Sequence, residues 1–505
     1  MRLTGNSSLE KYLENQRLMA LAATALGLLI VAGVLLFEAA WQPLLIIGGL
    51  LLIWLIVTRP DLGLAVLVFI TYTRFSDVLE QYHGLPSFVI PLALLLVGVM
   101  FWRWRVKDEH LHNWEVTAVL LGAFALVGFA SLLYAAVPER SLATLIEFAK
   151  NSVLLFAVFL ALRRPQSLRY IVWALLAAGI FMGTLTVIQQ LTGTFENEYW
   201  GFAQTEVKNI VGSVTDYRVA GPLGAPNFYA MILVVLVPVA LNRVLHEKKT
   251  GLRLLALWAL VVCLLSIIFT FSRGGFLALA TVLLLTIARQ SFSLKRLLLF
   301  FFLFVVAWQF LPANYTERLT TTLDLLPGSG EDVRNEVSFR GRTSEVMVAW
   351  LIFSDHPLFG VGLNNYKTFY QEYAQPLGWD NRREERSAHS LYLETAAETG
   401  LVGLTVLGVL LGTALKGSFR AQNSFARHGR YDEASLCWAL AIGLVGYLIA
   451  SLFLHGAYPR YFWLLLGILL ALPYVAATVS QPVTAVQTRP YHQPSYSLAG
   501  NVRAE

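Results

Sequence analysis

Apolar runs of membrane length, or slightly shorter, recur along the chain and begin near residues 18, 41, 62, 86, 115, 143, 168, 226, 251, 275, 296, 396, 434 and 458. In lipid, only helices and closed barrels satisfy every backbone N–H and C=O, and about 20 apolar residues of helix cross the hydrocarbon core. The pattern therefore predicts an all-α fold, a polytopic transmembrane helical bundle of about 12–14 spans. Two runs, Leu62–Thr73 and Gly275–Ala288, are short and read as tilted, extended by polar turns, or re-entrant. The first run, Leu18–Phe37, follows Lys11 and Arg17 as a signal peptide would. At about 20 residues it exceeds the roughly 7–15 of a signal core, so it reads as an uncleaved first helix.

One stretch breaks this rhythm. Within a membrane domain of residues 1–480, residues 313–388 are long, polar and rich in Arg. Membrane helices need only short connections to pack, so an external insertion of this length points to chemistry at the membrane surface. Inside it, a helix is predicted to start at Thr343 and Ser344, with Val346, Val348, Trp350, Leu351 and Phe353 as apolar surface. Asp355, His356 and Pro357 should stop it. Such a helix would lie on the bilayer and roof a cavity. Residues 481–505 carry Pro, Ser and Gln with no apolar period, and are expected to be a disordered, dispensable cytoplasmic tail.

Composition agrees with the pattern. The chain is 56% hydrophobic and 14% charged, against roughly 25% charged in soluble domains, and its mean hydropathy is +0.60. The net charge of +6 is spread over short loops without a basic tract, so no nucleic-acid partner is expected. With a cytoplasmic N-terminus, alternate loops hold the basic residues, among them Arg103, Arg105 and Lys107, then Arg163, Arg164 and Arg169, then Arg243, Lys248 and Lys249. That is the positive-inside bias, with both termini cytoplasmic. Cys263 and Cys437 lie in apolar runs and read as packing residues, with no disulfide. No Asp-x-Asp, P-loop, GxSxG or zinc spacing occurs. Neither a metal nor another cofactor is expected, and a nucleotide-bound donor is disfavoured.

The same parity sends the unusual segments to the outer face. Four helices begin there, and helix starts with unpaired amides attract anions. Arg218 lies in RVAGPLGAPNFYA, whose turn should lead to Asn227 as helix cap. Arg273 lies in SRGG, His389 opens the helix of the run near 396, and Arg460 precedes the last span. Guanidinium pairs bidentately with phosphate oxygens, so a diphosphate suits Arg218 and Arg273. The alternative is that each arginine is an interfacial anchor, the reading favoured for Arg460. His389 is the candidate proton acceptor. On a continuous helix, Glu394 and Glu398 would point away from His389, lining a polar cavity or pairing with loop arginines. Arg382, Arg383 and Arg386 read as a solvated loop, and His110 and His112 as a plain polar loop. Glu147 and Lys150, three apart, allow a neutralising pair.

These segments, with FRGRTSEVMVAWLIFSDHPLFGVGLNNY and HSLYLETAAETGLVGL, resemble the O-antigen ligase and O-antigen polymerase superfamily of bacterial membrane glycosyltransferases over roughly residues 215–470. The resemblance implies a helical fold of the GT-C kind in the inner membrane, with residues 313–388 as a periplasmic loop insertion. It implies an undecaprenyl diphosphate-linked glycan as donor and metal-independent transfer to a hydroxyl of a glycan, lipid A core or protein acceptor. Arg218 and Arg273 match the arginines thought to hold the diphosphate, and His389 the histidine thought to act as base. Arg340 and Arg342 both stand where the family has one arginine. With Asn227, Glu398 and Arg460 they complete the expected substrate-binding set. The rivals are a transporter of lipid-linked glycan, which tends to show repeats and midplane charges, a protein O-oligosaccharyltransferase, and a scaffold that would need neither Arg218 nor His389.

Overall fold

The structure is a computed structural model, described here for residues 41–107, 114–211, 214–289, 337–378, 384–456 and 459–480. The expected helix at Leu18–Phe37, the run near 296, residues 313–336, the His110 and His112 loop, Arg382, Arg383 and the tail 481–505 lie outside these.

The first seven helices are α1 (Trp41–Thr58), α2 (Pro60–Tyr72), α3 (Phe75–His83), α4 (Val89–Lys107), α5 (Glu115–Ser131), α6 (Pro138–Ala161) and α7 (Pro165–Thr192). A hairpin of β1 (Gln204–Val211) and β2 (Val214–Gly221) then precedes α8 (Pro226–His246), α9 (Thr250–Phe269) and α10 (Arg273–Arg289). The chain continues with α11 (Val337–Asp355), α12 (Tyr366–Leu377), α13 (Leu391–Arg427), α14 (Tyr431–Ala450) and α15 (Arg460–Ser480). Apart from the runs near 18 and 296, every expected run coincides with one of these helices. The protein is an all-α multi-pass membrane protein: among the described residues 8 helices are long and apolar enough to cross a bilayer, or 9 if one bent pair counts as a span.

That pair is α2 and α3, bent by 53° at a break around Arg74, whose φ of 54° is left-handed. The short run at Leu62–Thr73 is thus a broken span or re-entrant element, and its polar continuation supplies Asp77 and Glu80. The antiparallel hairpin between α7 and α8 pairs Glu206 with Arg218, a feature that apolar periodicity does not reveal.

The core centres on α8, which packs on α9, α10 and α14 and buries Tyr229–Val237 almost completely. Close approach needs small residues here: a Cβ on Gly275 of α10 would meet the Ala230 Cβ at 2.6 Å. Cys263 and Cys437 are buried and unbridged, as expected of packing residues. At one end of the bundle, Arg169 and Arg243 converge on Asp432 and Arg103 donates to the Thr58 carbonyl at 3.1 Å. The opposite end carries the hairpin, the α3 break and the outer helices.

A second, smaller core forms outside the bundle from α11, α12 and the start of α13, with Val348, Ala349, Ile352, Tyr366 and Tyr370 at its centre. α11 starts at Val337, before the predicted Thr343, and ends at Asp355 as its stop residues require. Val348 and Ile352 face inward, whereas Val346 and Trp350 are exposed. The helix is therefore apolar on more than its buried side.

Candidate functional site

Arg218 stands on β2 and is buried at 3% exposure. Its Nε donates to the Thr270 carbonyl at 2.9 Å and its Nη2 to Asn227 Oδ1 at 2.9 Å, with Glu206 Oε2 3.8 Å from Nη1. The guanidinium thus ties the hairpin to the start of α8 and to the α9–α10 turn. Asn227 is not the cap expected of it: Ala225 is the N-cap and Pro226 the first helical residue. Its side chain accepts from Arg218 instead.

The α9–α10 turn explains SRGG residue by residue. Ser272 Oγ accepts the Gly275 N–H at 3.2 Å, capping α10 at its third position. Arg273 then opens the helix, half-buried, three residues after the carbonyl that Arg218 holds. Gly274 leaves room for Phe453 of the α14–α15 loop, which a Cβ would meet at 3.1 Å. That loop in turn receives the start of α13, because Leu391 N–H donates to the Ser451 carbonyl at 2.9 Å. Arg218, Arg273 and the segment carrying His389 therefore occupy one end of the bundle, linked by direct contacts.

His389 does not open α13. It precedes the N-cap Ser390 and has a left-handed φ of 48°, so helical extrapolation does not describe its direction relative to Glu394 and Glu398. Both carboxylates are buried, at 2% and 0% exposure. Glu394 faces His455 rather than a loop arginine, with Oε2 3.5 Å from Nδ1. The carboxylate that does pair with a loop arginine is Glu345 of α11, wholly buried, whose Oε1 accepts from Arg386 Nε at 2.8 Å and Nη2 at 2.6 Å. Arg386 is thus a built contact and not a solvated loop residue.

α13 breaks at Gly400, where φ is 63° and ψ −163°. A side chain there would meet the Leu358 carbonyl carbon at 2.3 Å, and one on Gly360 the Glu398 carbonyl carbon at 2.4 Å. Four backbone hydrogen bonds lace this turn to the break in α13: Val361 N–H to Ala397 O, Gly362 N–H to Glu398 O, Leu401 N–H to Pro357 O and Val402 N–H to Leu358 O. The GVGLNNY turn is therefore a docking element. Its Asn365 also bonds the start of α6, accepting from Val137 N at 2.8 Å and donating to Ser141 Oγ at 2.9 Å.

The remaining expected residues stand on other elements. Arg342 is exposed on α11 and Arg340 lies on its first turn. Arg460 opens α15 and donates to Asp77 Oδ1 at 2.9 Å, while Arg74 takes the other oxygen at 3.1 Å. It lines a cavity of about 360 Å³ with Asp77, Glu80, Glu147 and Lys150, where Lys150 and Glu147 pair at 2.6 Å. Among the described residues no group of three or more His, Cys, Asp or Glu could hold a metal. The residues that sequence reasoning did not single out are His455, Glu345 and Asp77. Glu345 and His455 meet their partners, and Asp77 meets Arg460, across long separations that no spacing rule reaches, while Asp77 also pairs with Arg74 three residues away.

The O-antigen ligase family model matches residues 258–408, a narrower region than 215–470. It includes Arg273, Arg340, Arg342, His389, Glu394 and Glu398, and excludes Arg218, Asn227 and Arg460. No curated protein matches the chain.

Proposed function

We propose that this chain, whose residues 258–408 match the O-antigen ligase family model, moves a glycan from undecaprenyl diphosphate to an acceptor hydroxyl on the periplasmic face of the bacterial inner membrane. The observation that supports this best is the meeting of Arg218, the Arg273 helix start and the His389 segment at one end of the bundle.

In this reading the acceptor oxygen attacks the anomeric carbon as His389 takes its proton. The bond from that carbon to the diphosphate oxygen breaks from the opposite face, and the configuration inverts. Negative charge grows on the departing diphosphate, so fixed cations favour the transition state over the ground state. Arg273 brings a cation to the start of α10. Arg218 holds Asn227 and the α9–α10 turn in register. The protein supplies charge and orientation without a metal.

Purified protein in lipid vesicles, given a polyprenyl diphosphate-linked oligosaccharide without metal or nucleotide, tests the reading through release of lipid diphosphate and the length of the glycan. Release with a lengthening ladder makes the protein a polymerase. Release that depends on an added lipid A core or protein hydroxyl makes it a ligase or a protein O-oligosaccharyltransferase. No release with any acceptor, together with movement of labelled lipid between leaflets, contradicts the proposal and favours a transporter.

A further inference from the structure

We propose that the cavity between α3, α4, α6 and α15 is a saccharide subsite, which holds an uncharged sugar unit of the glycans being joined; this rests on the transferase reading above. The cavity measures about 360 Å³, within the roughly 300–1,000 Å³ of small-ligand sites. Its charged lining is Asp77 and Glu80 of α3, Glu147 and Lys150 of α6 and Arg460 of α15, while Ile90, Pro91 and Leu154 give it an apolar wall. Direct contacts join it to the corner that holds Arg218 and Asn227. Arg460 donates to Asp77, Asp77 also accepts from Arg74, and Arg74 Nη1 donates to the Pro222 carbonyl at 3.3 Å, in the turn between β2 and α8. Tyr461, next to Arg460, packs its ring 5.7 Å from that of Phe228, next to Asn227.

Packing does not account for these side chains. α6 is long and apolar enough to cross a bilayer, and Glu147 and Lys150 stand more than two turns into it. Ionisable groups on a span are costly in lipid and are kept where they face a polar cavity or the bundle interior. This pair closes at 2.6 Å yet stays 55% and 47% exposed, so it is presented to the cavity and not sealed between helices. Glu80 has no ion pair among the described residues. Three carboxylates thus line the space against two cations, a balance that disfavours a phosphate or diphosphate there. Nor do these carboxylates group as metal ligands among the described residues. Carboxylates only accept hydrogen bonds, and Lys and Arg only donate them. A sugar's hydroxyls do both, and its C–H face suits the apolar wall. A site built to bond hydroxyls rejects analogues that lack them, which makes this cavity a determinant of which glycan is used.

The test uses full-length protein in nanodiscs. The probe is a neutral, lipid-free oligosaccharide cleaved by acid from the polyprenyl diphosphate-linked donor, and its binding is titrated to wild type and variants. Binding by wild type that weakens tenfold or more in Glu80→Ala and Glu147→Ala is the expected result. No binding by wild type, or equal binding by both variants, would overturn the inference. Lipid diphosphate release then identifies the source of the sugar. A raised KM for the donor, with kcat within twofold, assigns the subsite to the donor glycan, and a raised KM for the acceptor alone assigns it to the acceptor. Glu80→Lys makes the lining cationic and should weaken binding as Ala does; a lower donor KM in that variant would mark an anion site and overturn the inference. Should Glu147→Ala fail to fold with Lys150 left unpaired, the exposed Glu80 carries the comparison. Oligosaccharide binding lost in Glu80→Ala, without lipid diphosphate release from wild type under any acceptor, would sink the transferase reading and leave the saccharide subsite standing.

Discussion

Arg218 and Arg273 reach the same corner of the bundle by different routes, one from a strand and the other from a helix start. The difference sets what each substitution should do. Arg273→Ala removes a cation at a helix start and should lower turnover roughly 100- to 1,000-fold, the effect of losing one transition-state donor. Arg218→Lys keeps the charge but cannot reproduce donation to both Thr270 and Asn227. It should lose turnover and stability together, read as lipid diphosphate release and as Tm in nanodiscs. His455 gives a pH prediction. Its folded value of about 4 lies below its ordinary value, so between the two the unfolded chain binds a proton that the folded chain refuses. Stability is then full above the ordinary histidine range and falls as pH drops towards 4. Tm should decline from pH 7 to pH 5, and His455→Gln should flatten that decline; an unchanged slope would contradict the assignment. At this scale the sequence exposed the arginines and His389 through their segments. It hid Glu345, His455 and the pairing of Asp77 with Arg460, because an ion pair or imidazole between distant elements leaves no local spacing.

Apolar periodicity located the helices well, since the bilayer imposes it. It said little about breaks, which are made by single residues: the bend at Arg74 and the hinge at Gly400 each rest on one positive φ. The start of α11 was misjudged for a related reason, as its first two turns alternate Val337 and Phe339 with Ser338, Arg340 and Arg342 and its faces differ little in character. Gly400→Ala tests the hinge. A Cβ there must displace the Leu358 backbone at 2.3 Å and adopt a φ that side chains disfavour, so Tm should fall by several degrees and the outer helices should become protease-sensitive. Arg386→Ala tests the outer core. It leaves the buried Glu345 carboxylate without its arginine, a change that typically costs about 3–5 kcal/mol. Glu345→Gln combined with Arg386→Ala should be milder than Arg386→Ala alone.

Across the whole molecule the two ends differ in kind. One gathers arginines around Asp432 near short connections, and the other gathers a hairpin, a broken helix, an outer core and the candidate residues. Charge alternation along the sequence led to the expectation of two unlike ends, because loops rich in Lys and Arg tend to stay on the cytoplasmic side. The outer core was legible as an insertion but not as a structure docked on α6 through Asn365 and on α13 through Gly360 and Gly400. The account turns on His389 acting at the outer end. The most direct test is single-turnover release of lipid diphosphate by reconstituted wild type and His389→Ala, at matched protein and donor. The account predicts that the substitution slows release by roughly 100- to 10,000-fold, the usual contribution of a general base, while donor binding persists. Release by His389→Ala at the wild-type rate would contradict it.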